Sequence, residues 1–180
     1  MKIVKTLLAV LGGLILIPIV AFATLTISAR ASDGPAGVFV GGALVEGELV
    51  TGSEPDWSFV HNIGTIELQL LDPDRSRLIF VLDYEGKAYI VSGYMSNRIG
   101  RIWKKWPLKA EEDGRAVVRI DGKRYERTLV RIQTGAVVDG VMAELGRKYG
   151  GGATRAAIEA GSIWLFELAP RGAGMTGAAP

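Results

Sequence analysis

Hydrophobic patterning divides the chain into three regimes. From Thr6 to Ala29 there is no charged residue, and TLLAVLGGLILIPIVAFATLTISA is apolar on every side. About 24 residues at a rise of 1.5 Å each reach roughly 36 Å, enough to cross a hydrocarbon core with some tilt. A middle regime then runs to Leu168, with short alternating or continuously apolar stretches separated by turn residues. From Ala169 the tail APRGAGMTGAAP has almost nothing to bury and reads as flexible.

The middle regime resolves into strands and two principal helices. GVFVGGALV predicts a short first strand weakened by its glycines, and EGELVTGSEPDW an exposed loop. Ile66, Leu68 and Leu70 alternate with Glu67, Gln69 and Leu71, the signature of a half-buried strand. RLIFVLD, Arg77 to Asp83, is apolar without a break and predicts a strand buried on both faces. YEGK turns into KAYIVS as a hairpin. RAVVRI and KRYERTLVRI flank Asp121-Gly122, which favours a primed turn. One helix is predicted from Asn97 to Trp106, capped by Ser96 and stopped at Pro107. A second runs from Ala136 to Tyr149, with Val137, Val138, Val141, Met142 and Leu145 on one face and Gly150 at its end. TRAAIEA adds a shorter helical piece before a last strand, SIWLFEL.

About six strands joined mainly by hairpins predict a small antiparallel β-barrel with two or three peripheral helices, a mainly β member of the α+β class. One N-terminal transmembrane helix precedes it. The expected organisation is an anchor or signal segment (1–31), a linker with the first strand (32–55), the barrel (56–168) and the tail (169–180).

Charge places the chain relative to a membrane. Lys2, Lys5 and the terminal amine precede the span, and Arg30 alone follows it closely. Positive charge retained on the cytoplasmic side sends the domain across, to the periplasm or exterior of a single-pass protein of the bacterial cytoplasmic membrane. A secretory signal peptide competes, because Ala29-Arg30-Ala31 fits a small-x-small cleavage pattern. The apolar run exceeds the usual h-region, which favours retention. The chain has no cysteine, which excludes disulfides, thiolate nucleophiles and cysteine-ligated metals. A net charge of +2 gives no bulk field for nucleic acid.

The stretch SGYMSNRIGRIWKKWP concentrates candidate chemistry. On helical spacing Ile99, Ile102, Trp103 and Trp106 form one face, opposite Arg98, Arg101, Lys104 and Lys105. Three readings stand: a packing helix with solvated cations, anion binding at the Ser96 cap with Arg98 closing on a phosphate, or contact with lipid headgroups. His61 is the single histidine, so no histidine pair is available for a metal, and a structural role is expected. Arg127 and Arg131 share a strand face. Either one of them points into the barrel mouth towards an anion, or they pair on the surface with Glu126 or Glu111.

The order of these elements resembles the split-barrel flavin-binding superfamily, which includes pyridoxamine-phosphate-oxidase-like and deazaflavin-dependent nitroreductase-like proteins. Arg77 with LIFVL resembles the strand opening that family's phosphate site. YMSNRIG resembles its Tyr-x-Ser-x-Lys-Gly loop, with one extra residue and Arg98 in place of lysine. WKKWP followed by GRAVVRIDGKRYERTLVRI resembles the tryptophan-bearing helix and the next two strands. The resemblance runs from Asp56 to about Ile132 and implies a split barrel. The implied ligand is FMN, a deazaflavin or none, held by Arg77, Tyr94, Ser96, Arg98 and Trp103, with oxidoreductase activity and a homodimer. The alternative is a non-catalytic anchored module that binds a membrane-protein partner.

Overall fold

The computed structural model describes residues 2–95 and 105–171. Helix α1 (Lys2–Ala31) carries the apolar run without interruption through Pro18. It is long and apolar enough to cross a membrane, and Ile3, Leu7, Leu14, Ile17, Phe22 and Ile27 along it are exposed.

Seven strands form one sheet. They are β1 (Glu48–Leu49), β2 (Thr65–Leu71), β3 (Asp74–Tyr84), β4 (Lys87–Ser92), β5 (Arg115–Ile120), β6 (Lys123–Ile132) and β7 (Trp164–Pro170). Strands β2 to β7 close into an antiparallel barrel, pairing in the order β2, β3, β4, β7, β6, β5 and back to β2. The short β1 lies parallel to the start of β6. Closure removes the open edges that would otherwise expose unpaired backbone. Both predicted hairpins are present. Glu85 (φ 51°) with Gly86 (φ 72°), and Asp121 (φ 48°) with Gly122 (φ 75°), supply the paired positive φ that a primed turn needs.

The strand alternation fills the barrel. Ile66, Leu68 and Leu70 from β2, Ile79 and Val81 from β3, Val118 from β5 and Phe166 from β7 are all buried in one cluster. A 3₁₀ helix (Trp57–Asn62) follows Asp56, whose side chain accepts the Ser58 N–H. It inserts Trp57, whose ring centre lies 5.1 Å from that of Tyr125. Helix α2 (Trp106–Glu112) contributes Trp106 and Ala110. On the outside, α3 (Val137–Tyr149) lays Val138, Val141, Met142 and Leu145 over Leu82, Tyr89 and Leu165, with Ile158 of α4 (Arg155–Glu159) beside them. With no disulfide, this packing holds the fold, at about 1.5–3 kcal/mol for each fully buried large apolar side chain.

Four local expectations differ from the structure. GVFVGGALV forms no strand. It makes isolated bridges, and a Cβ on Gly41 would lie 1.9 Å from the Gly34 carbonyl oxygen, so the backbone there is packed too tightly for a side chain. The short β1 falls in the predicted loop. Pro107 starts a helix instead of stopping one, because the missing N–H costs nothing in a first turn. β3 is not buried on both faces, since Leu78 and Phe80 are 47% and 49% exposed. The predicted helix from Asn97 lies outside the described residues up to position 104.

Residues 32–47 strap α1 to the outer face of β2 and β5. Gln69 accepts the Leu44 N–H at 2.7 Å and donates to Asp74 at 2.8 Å. The Ser76 hydroxyl donates to the Gly42 carbonyl at 2.6 Å. Arg119, opposite Glu67 in the β2–β5 register, pairs with Glu67 and, at 2.6 Å, with Asp33. Burial raises the Asp33 carboxyl, but hydrogen bonds from Arg119 and the Val45 N–H, with the Arg119 charge, outweigh it and hold the group below the usual carboxylate range.

Candidate ligand-binding site

Where β2 turns into β3, a cleft of about 320 Å³ opens beside the end of α1. The hairpin contributes Leu70, Asp72, Pro73, Arg75 and Arg77. Lys105, Trp106 and Lys109 come from the start of α2, Arg30 from the end of α1 and Val40 from the segment that follows it. Five of these side chains are cationic and one is a carboxylate.

Arg77 shares its strand face with Ile79 and Val81, so its guanidinium enters the barrel mouth. It lies over the Trp106 ring, 6.0 Å from the ring centre. Its Nε is buried with no hydrogen-bond partner. Burial pushes the Arg77 pKa down to about 10, because desolvation disfavours the charged form.

Most arginines elsewhere are neutralised. Arg115 pairs with Asp113, Arg119 with Asp33 and Glu67, Arg127 with Glu54 and Arg131 with Glu111. Arg147 pairs with Glu144, Arg155 with Asp139, and Arg171 with Glu126. Arg124 donates to the Gly47 and Leu44 carbonyls. Arg30, Arg75 and Arg77 have no carboxylate partner among the described residues, and Arg75 donates to the Asp74 carbonyl at 2.6 Å. Like charges brought together without a counter-charge repel one another, and a bound anion removes that repulsion. Guanidinium groups suit a phosphate because they can donate two parallel hydrogen bonds to it.

Arg127 and Arg131 also have a buried Nε with no hydrogen-bond partner, but unlike Arg77 each has a carboxylate partner. Arg127 lies over Trp57 at 4.7 Å while paired to Glu54, and Arg131 lies 3.5 Å over Trp164 while paired to Glu111. Glu126 pairs with Arg171.

Of the residues expected to hold a ligand, Arg77 lines the cleft. Tyr94 sits just beyond β4 with positive φ (64°) and is 73% exposed. Ser96, Arg98 and Trp103 lie outside the described residues. Lys105, expected on a solvated helix face, lines the cleft. Arg30, Arg75 and Lys109 had no sequence signal, being far apart along the chain. Trp106 also borders a second groove of about 310 Å³, mainly apolar, formed with Thr65, Leu78, Phe80 and Val91.

His61 is tied into a charged cluster at the far end of β3. Its Nδ1 lies 3.2 Å from both Asp83 oxygens and 3.5 Å from Glu144 Oε1. Arg147 donates to both Glu144 oxygens, at 2.5 and 2.6 Å, and to the His61 carbonyl at 3.0 Å. That pairing holds the Glu144 carboxyl below its ordinary range. Together these contacts fasten the 3₁₀ helix to α3, and the ligand atoms of His61, Asp83 and Glu144, all within 4.8 Å of one another, form a group that could hold a metal ion.

Fold and site together define the class: a closed antiparallel barrel with a basic cleft at the foot of a long apolar N-terminal helix. No family model matches the chain, and no curated protein matches it. Two solved structures follow part of its path. A conserved hypothetical protein from Mycobacterium tuberculosis is 11% identical, over 63% of this chain and 77% of that one, with a TM-score of 0.46. A NimC/NimA family protein from Clostridium acetobutylicum is 18% identical, over 62% of this chain and 75% of that one, with a TM-score of 0.44. The strand pairings, not these neighbours, establish the architecture.

Proposed function

We propose that this chain is a single-pass membrane protein whose barrel, of the split-barrel flavin-binding type, faces away from the cytoplasm and binds a flavin-type phosphate ligand in the basic cleft. The observation that carries the reading is Arg77, a buried guanidinium with an unsatisfied Nε in a cleft of five cations and one carboxylate. The donor set fits a phosphate. Trp106 borders both this cleft and the apolar groove, so a molecule with an anionic tail and a flat ring matches the pair. Arg77 holds the phosphate and Trp106 bounds the ring. A bound flavin supplies electron transfer, and the protein binds and orients it.

The test is direct binding. FMN and a deazaflavin phosphate are titrated into the full chain in neutral detergent, followed by flavin fluorescence. Micromolar affinity is expected, weakened roughly 10- to 100-fold in Arg77→Met or for riboflavin, which lacks the phosphate. These losses correspond to a charge-assisted hydrogen bond of about 1.5–3 kcal/mol. Equal affinity for riboflavin and FMN would overturn the phosphate assignment. The rival reading, a non-catalytic module for a membrane partner, draws on the half-exposed Leu78 and Phe80 and the exposed Tyr94. It predicts no flavin binding at all.

A further inference from the structure

We infer that the base of the barrel is seated in the membrane surface by the Gly37–Val40 turn, and that the outer cations of the cleft hold the phosphate of an anionic lipid. The inference rests on the anchored reading of α1. It goes beyond flavin binding because it concerns Arg30, Arg75, Lys105 and Lys109 and not Arg77.

Three observations converge. The first is depth. Arg30 is the basic residue in the last turn of α1, directly after the uncharged run, so a spanning α1 places it at headgroup level. The cleft it lines lies at that level too. The second is an apolar turn beside the span. Ala36 and Phe39 close a tight bridge, and the Phe39 ring lies 5.5 Å from that of Phe22. Phe22 is eight positions before Arg30, about 12 Å deeper along the helix axis. The turn therefore folds back along the anchor, and Val38 at its tip is 94% exposed. Exposed to water, a valine followed by an aromatic residue in a tight turn is unfavourable. Beside a spanning helix it enters the interfacial layer.

The third observation joins the first two. Val40 ends the turn and also lines the cleft, so the apolar wedge and the cations form one continuous surface. Arg30, Lys105 and Lys109 are exposed and, like Arg75, have no carboxylate partner among the described residues. A lipid with its chains beside the turn brings a phosphate to these cations. A phosphatidylglycerol headgroup adds no positive charge of its own, whereas a choline headgroup sets an ammonium against the cluster.

The test uses the full chain in a neutral maltoside detergent, with membrane retention of α1 established first by alkaline extraction. Thermal unfolding is followed while dioctanoyl phosphatidylglycerol, dioctanoyl phosphatidylcholine or inorganic phosphate is added. The glycerol lipid is expected to raise Tm by roughly 5 °C near saturation, with at least tenfold weaker responses to the other two. The double variant Arg75→Gln, Lys109→Gln should lose that response, whereas Arg77→Met, which removes the cation assigned to the flavin phosphate, should keep it. Equal stabilisation by inorganic phosphate would make the rim a site for soluble anions and overturn the lipid assignment. An undiminished lipid response in the double variant would overturn it as well. Extraction of α1 by alkali would instead sink the anchored reading on which the inference stands.

Discussion

Replacing Arg77 with methionine should make the ligand-free protein more stable while weakening phosphate binding roughly 10- to 100-fold. Burial lowers the Arg77 pKa to about 10 from the ordinary guanidinium value of 12.5. At about 1.4 kcal/mol per pKa unit, keeping the charge in place costs the folded state about 3 kcal/mol. The sign follows from the direction. A cation whose folded pKa lies below its unfolded pKa is charged at a cost throughout the range below the folded value, so the cost is fully present at pH 7. Methionine removes that charge and retains most of the apolar stem. It forfeits the contact with Trp106, 6.0 Å away, worth about 1 kcal/mol. The net expectation is a gain of about 2 kcal/mol, or roughly 4–8 °C in Tm for a domain of this size. The assay is thermal and urea unfolding of the full chain in detergent, with and without FMN. Wild type should gain stability from FMN, and the variant should need roughly 10- to 100-fold more FMN for the same gain. A ligand-free variant that is less stable than wild type by 1 kcal/mol or more would refute the argument, because Arg77 would then be a structural cation with a satisfied partner.

Two further outcomes follow from the strap that joins α1 to the barrel. Arg119→Met leaves Asp33 and Glu67 facing one another without their cation, and should cost about 3 kcal/mol in urea unfolding, with Arg119→Lys recovering part of it. Asp33 has a folded pKa below its ordinary value, so its stabilising contribution is present above about pH 4 and is lost as pH falls through the folded value. The stability gap between wild type and Asp33→Asn should therefore be constant from about pH 8 to pH 5 and shrink below pH 4; a gap unchanged at pH 2 would contradict the pairing.

Local patterning was enough to reveal the apolar span, both tight hairpins, the α3 face and the strands of β2, β5 and β6. In each, the alternation or periodicity of one segment reports directly on which side meets the core. Where a neighbour decided the outcome, the pattern misled. Gly41 and Gly42 belong to a strap pressed on Gly34 and Ser32, not to a strand. Pro107 opens a helix because Trp106 is drawn into the barrel core.

Arg77 and Tyr94 were legible as candidates only through a resemblance of motif order, and no rule of local structure singles them out. The rest of the cleft was invisible for a simpler reason. Arg30, Arg75, Lys105 and Lys109 are scattered over the chain, and each alone is an ordinary surface cation. Chain closure of the barrel and the docking of α1 bring them together, while pairing elsewhere consumes the carboxylates that might have neutralised them. Amino-acid order determined the long apolar helix and the six barrel strands, because those depend on contiguous residues. Only the tertiary structure decided where unpaired charge accumulates, because that depends on which distant side chains fold into reach of one another.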